Sequence, residues 1–176
     1  PEDFYLIVSR LEPYKKVDLA VQAFNTNGQK LVIIGEGSQS AHLQKIAKGN
    51  ITFLGWQSNE AIYEKLSQAK ALIFPGEDDF GITPVEAMAV GTPVIAYAKG
   101  GTLETVIEGK TGTFFDSEST DSLNQTISSF EQNVAQFDTE NCKKQARNFS
   151  KEIFVKKLIS IVETEFKNFK TKMGQQ

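Results

Sequence analysis

Two cations stand five positions apart in Ser9-Arg10-Leu11-Glu12-Pro13-Tyr14-Lys15-Lys16, a turn between an apolar run and a helical pattern. Arginine grips an oxyanion through a planar fork and lysine acts as a point charge, so Arg10 and Lys15 together suit one diphosphate. Plain surface charge is the alternative that spacing leaves open, and Lys16 faces solvent in both readings. A second polar set lies in Pro75-Gly76-Glu77-Asp78-Asp79-Phe80-Gly81-Ile82-Thr83-Pro84-Val85-Glu86. Pro84 suits the first position of a helix. The N–H groups near Gly81, Ile82 and Thr83 then form an anion site at that helix's N-terminus. Glu77, Asp78, Asp79 and Glu86 repel an anion, but carboxylates accept hydrogen bonds from vicinal hydroxyls. A ligand with a phosphate part and a polyol part satisfies both features, and a sugar nucleotide is such a ligand. Two plainer readings also stand. Thr83-x-x-Glu86 has the spacing of a capping box, and an acidic loop is commonly a solvated turn.

The elements that must position these residues are legible as alternating apolar runs and helix-period segments. Strands are expected at Phe4-Tyr5-Leu6-Ile7-Val8, Leu31-Val32-Ile33-Ile34, Ile51-Thr52-Phe53-Leu54, Ala71-Leu72-Ile73-Phe74, Pro93-Val94-Ile95-Ala96 and Gly112-Thr113-Phe114-Phe115. Continuous apolar strands are buried on both faces. Helical spacing fills the gaps between them, with stops at Asn27-Gly28, Gly49-Asn50 and Gly91. A helix is expected from about Pro84 to Val90. Strands alternating with helices imply parallel pairing and right-handed crossovers. The fold class is therefore α/β, a Rossmann-like doubly wound parallel sheet of about six strands. Such sheets bind ligands beyond the carboxyl ends of their strands. Gly35-Glu36-Gly37-Ser38-Gln39-Ser40 follows the second strand but lacks the third glycine of a dinucleotide fingerprint, so it reads as a tight strand-to-helix turn. From Ser119 onward the chain reads as helices. The stripe Phe149, Ile153, Phe154, Leu158, Ile161, Val162, Phe166 is a helical core or interdomain face.

Composition narrows the function classes. The chain has 176 residues, 19 Lys and Arg against 22 Asp and Glu, and a net charge of −3. That balance argues against a nucleic-acid partner, which calls for a basic face. No apolar run nears the roughly 20 residues of a membrane span, so no membrane contact is evident. A lone cysteine, Cys142, excludes an intrachain disulfide, and a lone histidine, His42, excludes a two-histidine mechanism. Neither residue has a chemical neighbour in sequence, and both read as structural or surface groups. No metal site and no cofactor is expected. No secretory signal is visible, which makes the expected location cytoplasmic. The chain starts at Pro1 almost directly in a strand, as expected of a domain taken from a longer polypeptide.

Five motifs occur in order over roughly residues 4–115: Ser-Arg-Leu-x-Pro-x-Lys at 9–15, Gly35-Glu36-Gly37, Phe53-Leu54-Gly55, Asp-x-Phe-Gly-x-x-Pro-x-Glu-Ala-Met-Ala at 78–89, and Gly100-Gly101-x-x-Glu104. The set resembles the C-terminal, donor-binding half of retaining glycosyltransferases of family four, which have the two-domain GT-B fold. The loop variant is similar to mannosyltransferases of polysaccharide assembly. The resemblance implies that residues 1–176 form one donor-binding domain and that an acceptor-binding N-terminal domain completes the enzyme. It implies a nucleotide sugar as partner, GDP-mannose or a UDP-hexose, and metal-independent transfer to a glycan or lipid-linked acceptor. By the same resemblance Arg10 and Lys15 bind the diphosphate, and Glu86, the second acid of the family's Glu-seven-residues-Glu motif, binds ribose. Asp78 stands at the first acid and would hold hydroxyls of the transferred sugar. The family usually has Glu there, so either the loop moves inward or Glu77 shares the role. Asp79, Phe80, Gly81, Ile82 and Thr83 would contact sugar and phosphates, Gly35 would line the site, and Trp56 would border the base. On this reading the fragment alone transfers no sugar. A non-catalytic nucleotide-binding module and a sugar-nucleotide epimerase of similar fold are the competing readings.

Overall fold

Six short apolar segments pair into one sheet in a computed structural model that describes residues 2–173. The strands are β1 (Tyr5–Val8), β2 (Leu31–Ile34), β3 (Ile51–Gly55), β4 (Leu72–Phe74), β5 (Val94–Tyr97) and β6 (Gly112–Phe115), in the order β3-β2-β1-β4-β5-β6. Every pairing is parallel. Between them run α1 (Val17–Asn27), α2 (Ser40–Ile46), α3 (Asn59–Gln68), α4 (Ile82–Val90) and the single turn α5 (Thr102–Thr105). After β6 come α6 (Thr120–Gln132), α7 (Thr139–Arg147) and α8 (Lys151–Met173). The expected α/β, doubly wound sheet of six strands is what the chain forms.

Side-chain alternation sends successive strand residues to opposite faces. Tyr5, Ile7, Ile33, Ile73 and Ile95 enter a core with Val17, Val21 and Phe24 of α1 and Leu123, Ile127 and Phe130 of α6. Leu6, Ile34, Leu72, Phe74 and Val94 enter a second core with Leu66 of α3 and Ala87 and Met88 of α4. Two buried faces explain why the four inner strands, β2, β1, β4 and β5, read as unbroken apolar runs. Cys142 and Ala146 of α7 close the second core. Burial pushes the Cys142 thiol up to about 11, so it packs rather than reacts.

The strand order places the reversal of winding between β1 and β4. The helices that follow those strands, α1 and α4, pack on opposite faces of the sheet, the arrangement that opens a crevice at the carboxyl ends of the strands. The two loops meet there at Lys15 and Gly76. The residues up to Ala146 and those from Arg147 onward form separate compact units. Within the second, Phe154, Leu158, Ile161, Val162 and Phe166 of α8 are exposed. No helix among the described residues is long and apolar enough to cross a membrane.

One boundary differs from the sequence expectation. Helix α4 starts at Ile82, with Gly81 as its N-cap at φ 76°, so Pro84 is the third helical residue. Proline is tolerated there because first-turn N–H groups have no intrahelical acceptor to reach. The first-turn donors without an intrahelical acceptor are therefore the N–H groups of Gly81, Ile82 and Thr83, with none from Pro84.

Candidate functional site

The loop after β1 is shaped by a 3-10 turn at Pro13–Lys15, whose fixed proline dihedral starts the turn. Lys16 then adopts a left-handed conformation, φ 53°, the only positive φ outside glycine among the described residues. That reversal sets α1 going while leaving the Lys15 ammonium over the crevice. Glu12 ties this loop to the next one: its carboxylate accepts from Ser38 N at 3.0 Å and Ser38 Oγ at 2.6 Å. Those two bonds hold Glu12 below the usual carboxylate range.

Across the crevice, the loop after β4 carries the acids. Lys15 Nζ donates to Asp78 Oδ1 at 2.5 Å and to Oδ2 at 2.6 Å. The pair is mostly shielded, with side-chain exposures of 16% and 27%. The two residues singled out for diphosphate and sugar are thus in direct contact, bridging β1 and β4. Glu77 is exposed and turned toward Gly100 and Lys99, so Asp78 alone faces Lys15. The loop is pinned from beneath, where Gly101 N donates to Asp78 C=O at 2.8 Å. A Cβ at Gly101 would lie 2.4 Å from the Asp79 carbonyl oxygen. Only glycine allows that approach, which explains the Gly100-Gly101 pair.

Glu86 sits on α4 one turn past Ile82, and its Oε1 accepts from Tyr63 Oη of α3 at 3.4 Å. The Glu86 charge raises the Tyr63 phenol above its ordinary value. Thr83 lies inside the helix and Gly81 makes no side-chain cap, so Thr83 and Glu86 form no capping box. The plainer reading of Glu86 falls, and its half-buried side chain lies against Tyr63 of α3.

A cleft of about 400 Å³ runs between the loops after β1, β2 and β3 and the start of α4. Arg10, Gly35, Glu36, Trp56 and Thr83 line it. Lys15, Asp78 and Glu86 lie beside it rather than on its wall. Asp79, Phe80 and Ile82 are exposed and Gly81 is buried. Gly35 serves close packing: a Cβ there would stand 1.9 Å from Ser9 O. A larger cleft of about 570 Å³, lined by Asp3, Lys30 and Asn50 among others, opens at the amino ends of β1 and β2. Open parallel sheets take ligands at the other end, where the charged loops meet, so the smaller cleft is the candidate. Sequence reasoning passed over Glu12, Glu36 and Tyr63 as site residues. For Glu12 and Glu36 the only signal was position just after a strand, and Tyr63, inside α3, carried none.

Residues 1–149 match the sequence profile of the glycosyl transferases group 1. The chain belongs to that family. The match covers the whole sheet and every loop of the crevice. A GDP-mannose-dependent alpha-(1-6)-phosphatidylinositol monomannoside mannosyltransferase of Mycobacterium tuberculosis is 33% identical over 68% of this chain and 36% of its own length. The fold matches sucrose-phosphate synthase of Thermosynechococcus elongatus with a TM-score of 0.82 at 26% identity, over 95% of this chain and 46% of that one. It also matches an Anabaena protein solved with UDP-glucose, TM-score 0.80 at 20% identity, over 93% of this chain and 49% of that one. This group 1 chain spans about a third of the length of the curated relatives it matches, and its sheet is the Rossmann-like half of a GT-B fold.

Proposed function

We propose that this domain binds a nucleotide sugar, GDP-mannose in the first place, and presents its hexose for transfer with retained anomeric configuration. The observation that carries the reading is the crevice between β1 and β4, where Lys15 meets Asp78 while Arg10 and Thr83 line the adjoining cleft. Breaking a sugar–phosphate bond builds negative charge on the departing diphosphate. Arg10, Lys15 and the free N–H groups of Ile82 and Thr83 are placed to take that charge. Groups fixed before the reaction stabilise it more in the transition state than in the ground state. Two cations and a helix terminus do here what a metal ion does elsewhere, so the transfer is metal-independent. Glu86 holds the ribose hydroxyls and Asp78 those of the hexose. Asp79 and Phe80 flank the sugar, and Trp56 borders the base from the rim of the cleft.

In the free state Asp78 holds Lys15. An arriving diphosphate competes for the ammonium, and Asp78 is released toward the sugar. Retention follows from attack on the face that the diphosphate leaves, with a phosphate oxygen taking the acceptor's proton. The acceptor comes from a second domain, so the chain alone binds donor and transfers no sugar.

Calorimetric titration with GDP, GDP-mannose, UDP and UDP-glucose tests the reading, in parallel with Arg10→Ala and Glu86→Ala. One nucleotide family should bind. Each variant should weaken it about tenfold or more, the scale of a lost charge-assisted hydrogen bond, with unchanged thermal stability. Undiminished binding in both variants would sink the assignment.

A further inference from the structure

The cleft holds one charged side chain that the donor reading leaves without a task, Glu36. Its backbone is fixed, because Leu11 N donates to Glu36 C=O at 2.9 Å and the preceding Gly35 N donates to Gly55 C=O at 2.8 Å. The carboxylate is not fixed to the same degree. Its only hydrogen bond among the described residues is a long one, from Trp56 N to Oε1 at 3.4 Å. Trp56, whose backbone N–H makes that bond, is itself 74% exposed, an unusual position for so large an apolar side chain. Of the two amides at this end, Gln57 donates to Leu54 C=O at 2.8 Å, and Asn59 lines the cleft beside it. The cleft therefore offers one under-used, acceptor-only group next to a bare aromatic face.

A flat heteroaromatic ring with two adjacent N–H donors fits that pair. Guanine presents N1–H and the N2 amino group side by side, and two carboxylate oxygens accept both at once. Uracil presents a single N–H between two carbonyl oxygens, which a carboxylate repels. Adenine sets an acceptor nitrogen beside its amino group and meets the same repulsion. Stacking on Trp56 favours any base, so it supplies affinity and not choice. We infer that Glu36 is the residue that selects guanine, and that the domain takes guanosine diphosphate sugars in preference to those of uridine. The inference rests on the donor reading above, since only a diphosphate held near Arg10 and Lys15 brings a base to this cleft.

Three nucleotides test it by calorimetry: GDP, IDP and UDP. IDP is GDP without the N2 amino group. The wild-type chain should bind IDP about tenfold and UDP about a hundredfold more weakly than GDP, the range expected when a charged acceptor loses one or both donors. Glu36→Gln should bring GDP down to the level of IDP. It should leave UDP unchanged or tighter, because a glutamine amide can donate to a uracil carbonyl. Glu36 is exposed, so the variant folds, and circular dichroism checks this. Equal binding of GDP and UDP, or a GDP preference that survives Glu36→Gln, overturns the assignment of Glu36 and leaves the donor site standing. No binding of any of the three to the folded chain overturns the donor reading and this inference with it.

Discussion

Lys15 and Asp78 illustrate how a residue chosen by type acquires its meaning from a partner 63 positions away. Sequence supplies the cation, the acid and the order in which they occur. It does not supply their contact, because that depends on β1 and β4 lying side by side. The contact has a measurable consequence. On the donor reading proposed above, Asp78 competes with a diphosphate for Lys15 and adds a negative charge beside it. Removing that charge in Asp78→Asn should tighten GDP several-fold, since an ion pair this shielded is worth on the order of 1 kcal/mol. GDP-mannose should gain less, because the hexose loses an acceptor for its hydroxyls. Titrating both ligands against both proteins gives the two ratios, and an equal gain for each would leave Asp78 with no part in holding sugar. Glu86 shows the opposite case. Its sequence spacing allowed a capping box, and only the backbone of Gly81, at φ 76°, shows that the helix starts too early for one.

Elements were the most legible level. All six strands lie where apolar runs predict them: in the four inner strands burial on both faces leaves no polar interruption, and the edge strands β3 and β6 stay legible despite Thr52 and Thr113. Helix ends were harder. Gly28 and Gly91 stop α1 and α4 in left-handed conformations, as the sequence suggested, whereas the start of α4 shifted by two residues. The purpose of Gly100-Gly101 was not legible at all, because it concerns a backbone approach to residues 21 and 22 positions earlier in the chain. The structure makes it the floor of the acidic loop. A methyl group at Gly101 would meet Asp79 O and Phe80 Cα, each at 2.4 Å. Gly101→Ala should therefore displace the loop, cost about 1–3 kcal/mol of stability and weaken nucleotide binding with it. Gly49→Ala is the control, since nothing lies within 4 Å of its added methyl. It should change the urea midpoint by less than about 0.5 kcal/mol equivalent. Equal effects from the two substitutions would refute the floor.

At the scale of the whole molecule, the two ends of the sheet have different tasks. The carboxyl ends gather charges that are only partly satisfied, while the amino ends close a network that is. Glu131 of α6 accepts from Tyr5 Oη at 2.5 Å and from Lys70 Nζ at 2.9 Å, and Lys70 also reaches Asp3 at 2.7 Å. This ties α6 to the entries of β1 and β4 at the far end from the cleft. Burial works against the charge on Glu131, but the bonds from Tyr5 and Lys70 outweigh it and hold the carboxyl below its ordinary value of 4.5. A depressed folded-state value means that the stabilisation is complete above pH 4.5. It drains away as the pH falls through the lower, folded-state value. Tyr5 runs the other way. Burial first, then Glu131, pushes its phenol above the ordinary 10.0, so its contribution is present below pH 10 and fades above it. Thermal stability should thus be level between those limits and fall on both sides. Glu131→Gln should lower the plateau by about 1–2 kcal/mol, discounted for a side chain that is 31% exposed. That corresponds to about 3–6 °C in a chain of this size. Its acid-side decline should be shallower than that of the wild type, because one carboxylate no longer has to be protonated. Nucleotide affinity near neutral pH should not change, since the network and the cleft lie at opposite ends of the strands. A variant that lost nucleotide binding while remaining folded would show instead that the two ends are coupled through β1.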